Sequence, residues 1–598
     1  MTEGVNTGTS RNTGSDKQTY YKLTLCGDVP DSPADMARDL FKGGCVDGDT
    51  AMAEAAASAQ CFLFLAELDV PFPVNRFGEY VGYKTDHDPR ARATSAGPLT
   101  SKLMTQRLEE AVKERGIPVY DHCQVVAVLT HEGRAAGLLA LRTDRPGDEE
   151  NRFVLFNCRN IVWATGGPAG VYADSVYPPG HSGASGVALE AGARGKNLTE
   201  WQYGLASVAP RWNVSGTYMQ VLPRFVSVDE SSREHEFLSE YFADEGKCLS
   251  TIFQKGYEWP FDCRKVLDGS SVIDLLVYRE KVLRGRRVFL DFRRNPLGRA
   301  ELDFTSLSAE ARDYLSSAGA CFGTPLERLL HMNAPAYELY LSKGVDLKTD
   351  MLEIALCAQH HNGGLAADLW WQTDLPGFYA VGEAAGTHGV YRPGGSALNA
   401  GQAGALRAAL HISAHGQGAG LPAETFALAA APVVEKHRRL CERLLSGGDN
   451  CAALTKRAQA EMSAVGGAFR ELSKIEDARD RRREWLERFE SDVRTPAAGL
   501  PGAYRLRDIL LTQWAVLSAM ADYVEKGGNS RGSALYYRPD GMLPDGLEEM
   551  FRFLPDAHGL DGQVQEILCR NGACEARWRA VRPLPADSGF FENVWREY

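Results

Sequence analysis

The sequence predicts an α/β protein: a nucleotide-binding fold, interrupted by an inserted α+β capping domain and followed by a helical C-terminal domain. Changes of texture along the chain carry this reading. Residues 118–165 run in short strand-like stretches that end in "IVWATGG", a buried strand meeting glycines. Residues 205–348 lose that regularity and become rich in aromatics and charge, with "SSVIDLLVYREKVLRGRRVFLDF" reading as helix then strand. Beyond Gly416 apolar residues recur every three to four positions among charges, as in "KIEDARDRRREWLERFESDV". That is the pattern of packing helices with solvated outer faces. The expected division is residues 1–204 and 349–415 for the two parts of the nucleotide-binding domain, 205–348 for the cap and 416–598 for the helical domain.

Composition limits the partners. At 598 residues with 44% hydrophobic and 24% charged positions, the chain exceeds what one core needs, so several domains are expected. A net charge of -12 argues against nucleic acid or an anionic membrane and favours a small-molecule substrate. No apolar run approaches the roughly 20 residues of a membrane span. The opening "MTEGVNTGTSRNTGSDK" lacks the apolar core of a signal peptide, so a cytoplasmic protein is expected. The 13 cysteines are scattered, and the close pair Cys569 and Cys574 fits no zinc or iron-sulfur spacing. They read as core residues.

In chain order, "PVYDHCQVVAVLTHEGRAAGLLALRT" is strand, turn at Glu132-Gly133, strand, and "FVLFNCRNIVWATGG" brings a further strand to Thr165, Gly166 and Gly167. "GFYAVGEAAG" is a strand whose end carries Glu383, an acceptor suited to ribose hydroxyls. Gly394 and Gly395 allow close approach of backbone to a flat ligand. The helix that follows starts near Ser396, Ala397 and Leu398, whose free N–H groups suit an electron-rich carbonyl. The plain alternative is a tight turn capping an alanine-rich core helix. Two strands running into glycines, taken together, favour the ligand.

The segments "HNGGL" and "LPGFYAVGEAAGTHGVYRPGGSALNAGQ" resemble the flavoprotein-subunit family of fumarate reductase and succinate dehydrogenase, which includes L-aspartate oxidase. "TSRNTGSDKQ", "GPLTSKLMTQRLEEAV" and "NSRGSALYYRPDG" are similar to further family segments, in family order. The resemblance implies FAD. Glu383 matches the ribose-binding glutamate, Arg392 through Leu398 the loop beside the isoalloxazine ring, and Thr165–Gly167 the glycine turn near the cofactor. Gln359 and His360 fall where flavin and substrate meet, and Asn12, Thr13, Gly14, Ser15, Val125 and Ser185 complete the implied cofactor set. Asn12 stands where many members carry the histidine that bonds to flavin, so a non-covalent flavin is expected.

Departures from the family pattern shape the rest. The family opens with a strand and a G-x-G-x-x-G turn that seats the pyrophosphate, and nothing upstream of Thr9 matches it. A missing N-terminal segment or a second chain is therefore expected to complete the FAD site. Of the family's dicarboxylate-binding groups only Arg392 is clearly retained: Gly204 fills a histidine slot, and Ser270 and Ser271 fall near the proton-donating arginine. Fumarate and succinate are disfavoured, because a second carboxylate would go unpaired in a partly dry cleft. Lys17 is a candidate buried acid, base or flavin-stabilising charge, with a structural Asp16–Lys17 pair as the alternative. His360, His361 and His388 gather around the same site, and no ligand set for a metal is completed.

The expected function is an FAD-dependent oxidoreductase moving a hydride between flavin N5 and a small organic substrate, with Arg392, His360, His361 and Lys17 as catalytic candidates and an unidentified electron-transfer partner. Alternatives are an oxidase or dehydrogenase of an amino or hydroxy acid, whose carboxylate Arg392 would hold, and a flavin-free scaffold protein.

Overall fold

The computed structural model describes residues 1–416, 418–570, 572–586 and 590–597. Helix α1 (Gly48–Glu67) precedes an antiparallel sheet of β1 (Cys123–His131), β2 (Arg134–Arg142) and β3 (Phe153–Asn157). The β1–β2 connection turns at Glu132 (φ 48°) and Gly133 (φ 77°). Positive φ at both positions matches the twist of the flanking strands, the reason this two-residue turn was legible.

Strand β4 (Ile161–Trp163) runs out into the glycine turn, and helix α2 (Ser185–Glu190) and strand β5 (Gly195–Lys196) follow. Strands β6 (Trp201–Ser207), β7 (Trp212–Asn213), β8 (Arg224–Val228), β9 (Glu234–His235), β10 (Arg287–Asp291) and β11 (Leu352–His361) form one antiparallel sheet in the order β9-β8-β10-β11-β6-β7. Strands β6 and β11, which lead into and out of residues 208–351, lie side by side in it. A pairing of entry and exit strands lets a long insertion leave and rejoin a domain without disturbing it.

After β12 (Gly364–Leu365), β13 (Phe378–Ala380) pairs parallel with β4, and helix α3 (Ser396–His415) follows. Both strands run toward the same end, so Thr165 and Glu383 emerge beside each other, as parallel α/β sheets deliver ligand-binding groups. On β4 the side chain of Val162 is 45% exposed, although strands of this kind are ordinarily covered on both faces.

The C-terminal region is mostly helical as far as α4 (Leu500–Glu525) and then changes character. Strands β14 (Gln563–Arg570) and β15 (Ala573–Ala580) form a hairpin that joins β5 in the order β12-β5-β14-β15. To the helices expected here the structure adds a hairpin that reaches back to β5. Asp47, at the start of α1, fastens it: its carboxylate meets Lys196 Nζ at 2.6 Å and Arg579 at 2.8 Å, and accepts from Arg582 N at 2.9 Å. One extended apolar core runs through β4, β6, β8, β10, β11, β13 and α4, joining the parts.

Candidate cofactor and substrate site

A cavity of about 880 Å3 opens where these elements converge. Its wall takes Gly8–Arg11 from the N-terminal turn, Val125 from β1, Thr165 and Gly166 after β4, Glu383 after β13, Ala397 and Leu398 from the first turn of α3, and His360 from the end of β11. Gly395 caps α3 at φ 86°, and a Cβ there would come within 2.4 Å of Thr19 Cγ2. Only glycine brings the helix N-terminus to this wall. Gly167 is equally constrained, since a Cβ would lie 2.2 Å from Glu383 Oε1.

Glu383 turns its carboxyl onto the glycine turn. Oε1 accepts from His361 N at 2.8 Å and meets the Tyr177 hydroxyl, and burial pushes the carboxyl up to about 8. The shift favours the protonated form, which can donate as well as accept. Arg392 is buried but is not among the residues of this wall, and desolvation lowers it to about 10.

A bulge between Ala358 and His360 re-aims the end of β11, and the regular alternation beyond it points the two histidines to opposite sides. His360 faces the cavity and stands 5.2 Å from the His388 ring. Asn362 donates its amide to Gly389 O at 3.0 Å, which turns Oδ1 toward His360 Nδ1 at 3.0 Å. Nδ1 thus carries the proton and Nε2 presents a bare lone pair. Burial, with Arg392 and His388 nearby, holds His360 well below its ordinary value. His361 points the other way, stacked on Trp201 at 4.0 Å with Nε2 3.3 Å from Leu198 O, and burial lowers it to about 3.

Several expectations shift in place. Lys17 is exposed, so the buried lysine expected there is not realised. The buried ionisable residue is Asp16, whose carboxylate accepts from Thr217 N (2.8 Å) and Oγ1 (2.9 Å) and ties this segment to the stretch after β7. The N-terminal segment meets the cavity through Met1–Glu3 and Asn6–Arg11 rather than Asn12–Ser15. The short helix Thr9–Asn12 folds the Asn12 amide back onto Asn6 O and Gly8 O, both at 2.9 Å, while Gly14 packs on Trp212. Ser185 starts α2, and the neighbouring Ser182–Ala184 reach the wall instead. Gly394 and Gly395 pack on Thr85 and Thr19 and support the wall from behind.

At Gly204 the Trp259 indole occupies the space, coming within 2.5 Å of where a Cβ would sit and donating Nε1 to Leu205 O. Ser270 donates to Glu258 Oε2 at 3.0 Å, and Ser271 Oγ accepts from Asp262 N at 3.0 Å. Sequence reasoning missed His181, Arg505 and Glu54. Glu54 sits on α1 beneath α3, 3% exposed, accepting from Asn399 Nδ2 at 3.1 Å, and burial raises it to about 7. A single glutamate within the alanine-rich "AMAEAAASAQ" was its one local signal.

On the cavity wall, buried polar atoms of Thr9, Thr165, His181 and His360 have no protein partner. Each such atom costs about 1–3 kcal/mol unless a ligand satisfies it. Their distribution around a glycine turn, a carboxyl at a strand end and a helix N-terminus fits an extended, hydroxyl-rich dinucleotide.

Fold and site together define a dinucleotide-binding flavoprotein. The chain belongs to the FAD binding domain family, which it matches over residues 20–398, and its cofactor is FAD. One subunit of the fumarate reductase (CoM/CoB) of Methanothermobacter marburgensis is 22% identical over 88% of this chain and 87% of its own. The L-aspartate oxidase of Caulobacter vibrioides is 25% identical over 61% of each chain. The solved FrdA chain of E. coli quinol fumarate reductase superposes with a TM-score of 0.65 at 18% identity, covering 97% of this chain and 91% of its own. The fold is that of the fumarate reductase flavoprotein subunits, and the class is that of FAD-dependent oxidoreductases. Among the described residues no helix is long and apolar enough to cross a membrane.

Proposed function

We propose that this chain oxidises or reduces a small organic acid carrying one recognised carboxylate, and that fumarate and succinate are not its substrates. The observation that carries the reading is the pairing of buried Arg392 with a neutral His360 whose Nε2 is bare. FAD supplies the hydride acceptor or donor. Arg392 holds the substrate carboxylate through its fork, and the buried setting keeps competing water away. His360 Nε2 takes the proton released from a substrate hydroxyl or amine, or returns it in the reverse direction. Trp259 over Gly204 and the uncharged Ser270 and Ser271 offer no cation to a second carboxylate, which would cost about 1–3 kcal/mol or more.

A second reading, an oxidase of an amino or hydroxy acid, is favoured by the same lone guanidinium. We take residues 205–348 as the substrate-side cap and an external electron-transfer partner as part of the proposal. The exposed Val162 edge of β4 supports a further strand-turn-helix unit beside the cavity, from this polypeptide or another.

Anaerobic mixing of the FAD-loaded chain with 2-hydroxy acids, amino acids and unsaturated monocarboxylates, followed by bleaching of flavin absorbance, tests the reading. A monocarboxylate-type substrate should bleach it. Turnover with fumarate or succinate faster than with every such compound would refute it.

A further inference from the structure

The far end of the cavity is lined by arginines whose commitments differ. Arg507 is held by Glu190 through both Nη atoms, at 2.6 and 2.7 Å. Arg11 is held by Glu109 at 2.7 Å and Thr105 at 2.9 Å. Arg505, on the first turns of α4, is held by Glu3 alone among the described residues, at 3.1 Å, in a contact open to solvent. Its guanidinium carbon lies 3.6 Å from where a side chain on Gly180 would begin.

Next to it, His181 lies over the glycine turn, with Nε2 3.0 Å from the Cβ position of Gly166. That nitrogen is buried and unpartnered. Burial and the Arg505 charge, against the opposing pull of a Gly167 backbone contact, leave the ring neutral, lowered to about 4. A neutral imidazole has one nitrogen that accepts and one that donates, so the unpartnered Nε2 can meet a hydroxyl in either role. A weakly committed guanidinium beside a hydroxyl partner, at a turn where Gly166 (φ 75°) and Gly180 (φ 87°) expose backbone, describes a phosphate next to a sugar alcohol.

We propose that Arg505 and His181 form the subsite for the diphosphate and adjoining hydroxyls of the dinucleotide, and that Glu3 is the internal anion the diphosphate displaces from Arg505. Exchange of one anion for another keeps the guanidinium paired, so the subsite is charge-balanced in both states. The helical C-terminal domain thereby takes part in holding the cofactor. The proposal rests on reading this cavity as the FAD site.

Flavin fluorescence titrations of the full chain with FAD and with riboflavin, which lacks the diphosphate, test it, alongside the melting temperature of the cofactor-free proteins. Arg505→Gln should weaken FAD binding about tenfold or more, flatten its salt dependence, leave riboflavin binding and melting temperature unchanged, and be partly restored in Arg505→Lys. Glu3→Gln should tighten FAD a few-fold, because the competing anion is gone. Wild-type FAD affinity in Arg505→Gln, or an equal loss for riboflavin, would overturn the subsite while leaving the FAD reading intact. Absence of FAD binding in the wild-type chain would instead overturn both.

Discussion

Replacing Glu54 by glutamine should change how stability depends on pH by an amount the structure fixes. Glu54 is 3% exposed, accepts one hydrogen bond from Asn399 Nδ2 at 3.1 Å and has no ion pair among the described residues. Around it stand Tyr20, Cys61 and Arg392, of which Arg392 alone opposes the effect of burial. Its folded value is about 7 against an ordinary 4.5. Below pH 4.5 the carboxyl is protonated in both states and the native state keeps its full stability. Between 4.5 and 7 the unfolded chain ionises while the folded one does not, so stability is lost as pH rises. At roughly 1.4 kcal/mol per pH unit the loss approaches 3 kcal/mol. A glutamine at this position would keep the Asn399 contact through its amide oxygen and cannot ionise. Denaturant unfolding of the two cofactor-free proteins from pH 4.5 to 8 should therefore show the variant gaining about 3 kcal/mol on the wild type across that range. Parallel pH profiles would mean that Glu54 is not buried as an uncharged acid beneath α3, and the electrostatic picture of Arg392 would go with it.

Further expectations concern the cofactor and the frame. Arg392→Lys should retain yellow FAD and lose most turnover, since an ammonium cannot reproduce the bidentate fork; a colourless variant would assign Arg392 to the cofactor instead. Acid precipitation should release all flavin into the supernatant, because Asn12 has no nucleophilic ring nitrogen to form a covalent bond; flavin retained in the pellet would contradict this. Asp47→Ala should cost about 3–5 kcal/mol in denaturant unfolding, as it strands the buried Lys196 ammonium and unfastens the β14–β15 hairpin; a loss under about 1 kcal/mol would show that the hairpin is held elsewhere.

The features legible in the sequence were those whose cause is local. Glu132-Gly133 turns because its two residues tolerate positive φ, and "IVWATGG" and "FYAVGE" read as strands meeting glycines because apolar runs and glycines are themselves the signal. Helix α3 begins at Ser396 because Gly395 can take the left-handed cap. Which polar side chain faces inward was not legible wherever the chain lacks a period. In "GSDKQ" the sequence offers Asp16 and Lys17 equally, and only packing against Thr217 and Trp212 sends the aspartate in and the lysine out. The bulge in β11 likewise decides between His360 and His361, which a regular strand would merely alternate. Trp259 over Gly204, Glu54 beneath α3 and Arg505 beside His181 are meetings of segments far apart in the chain. Charge and burial at such places come from what the tertiary fold brings alongside, so the sequence by itself determined the strand ends, the glycine turns and the cofactor class. The tertiary structure decided which ionisable groups line the cavity and in what protonation state, because desolvation is a property of the surroundings and not of the residue.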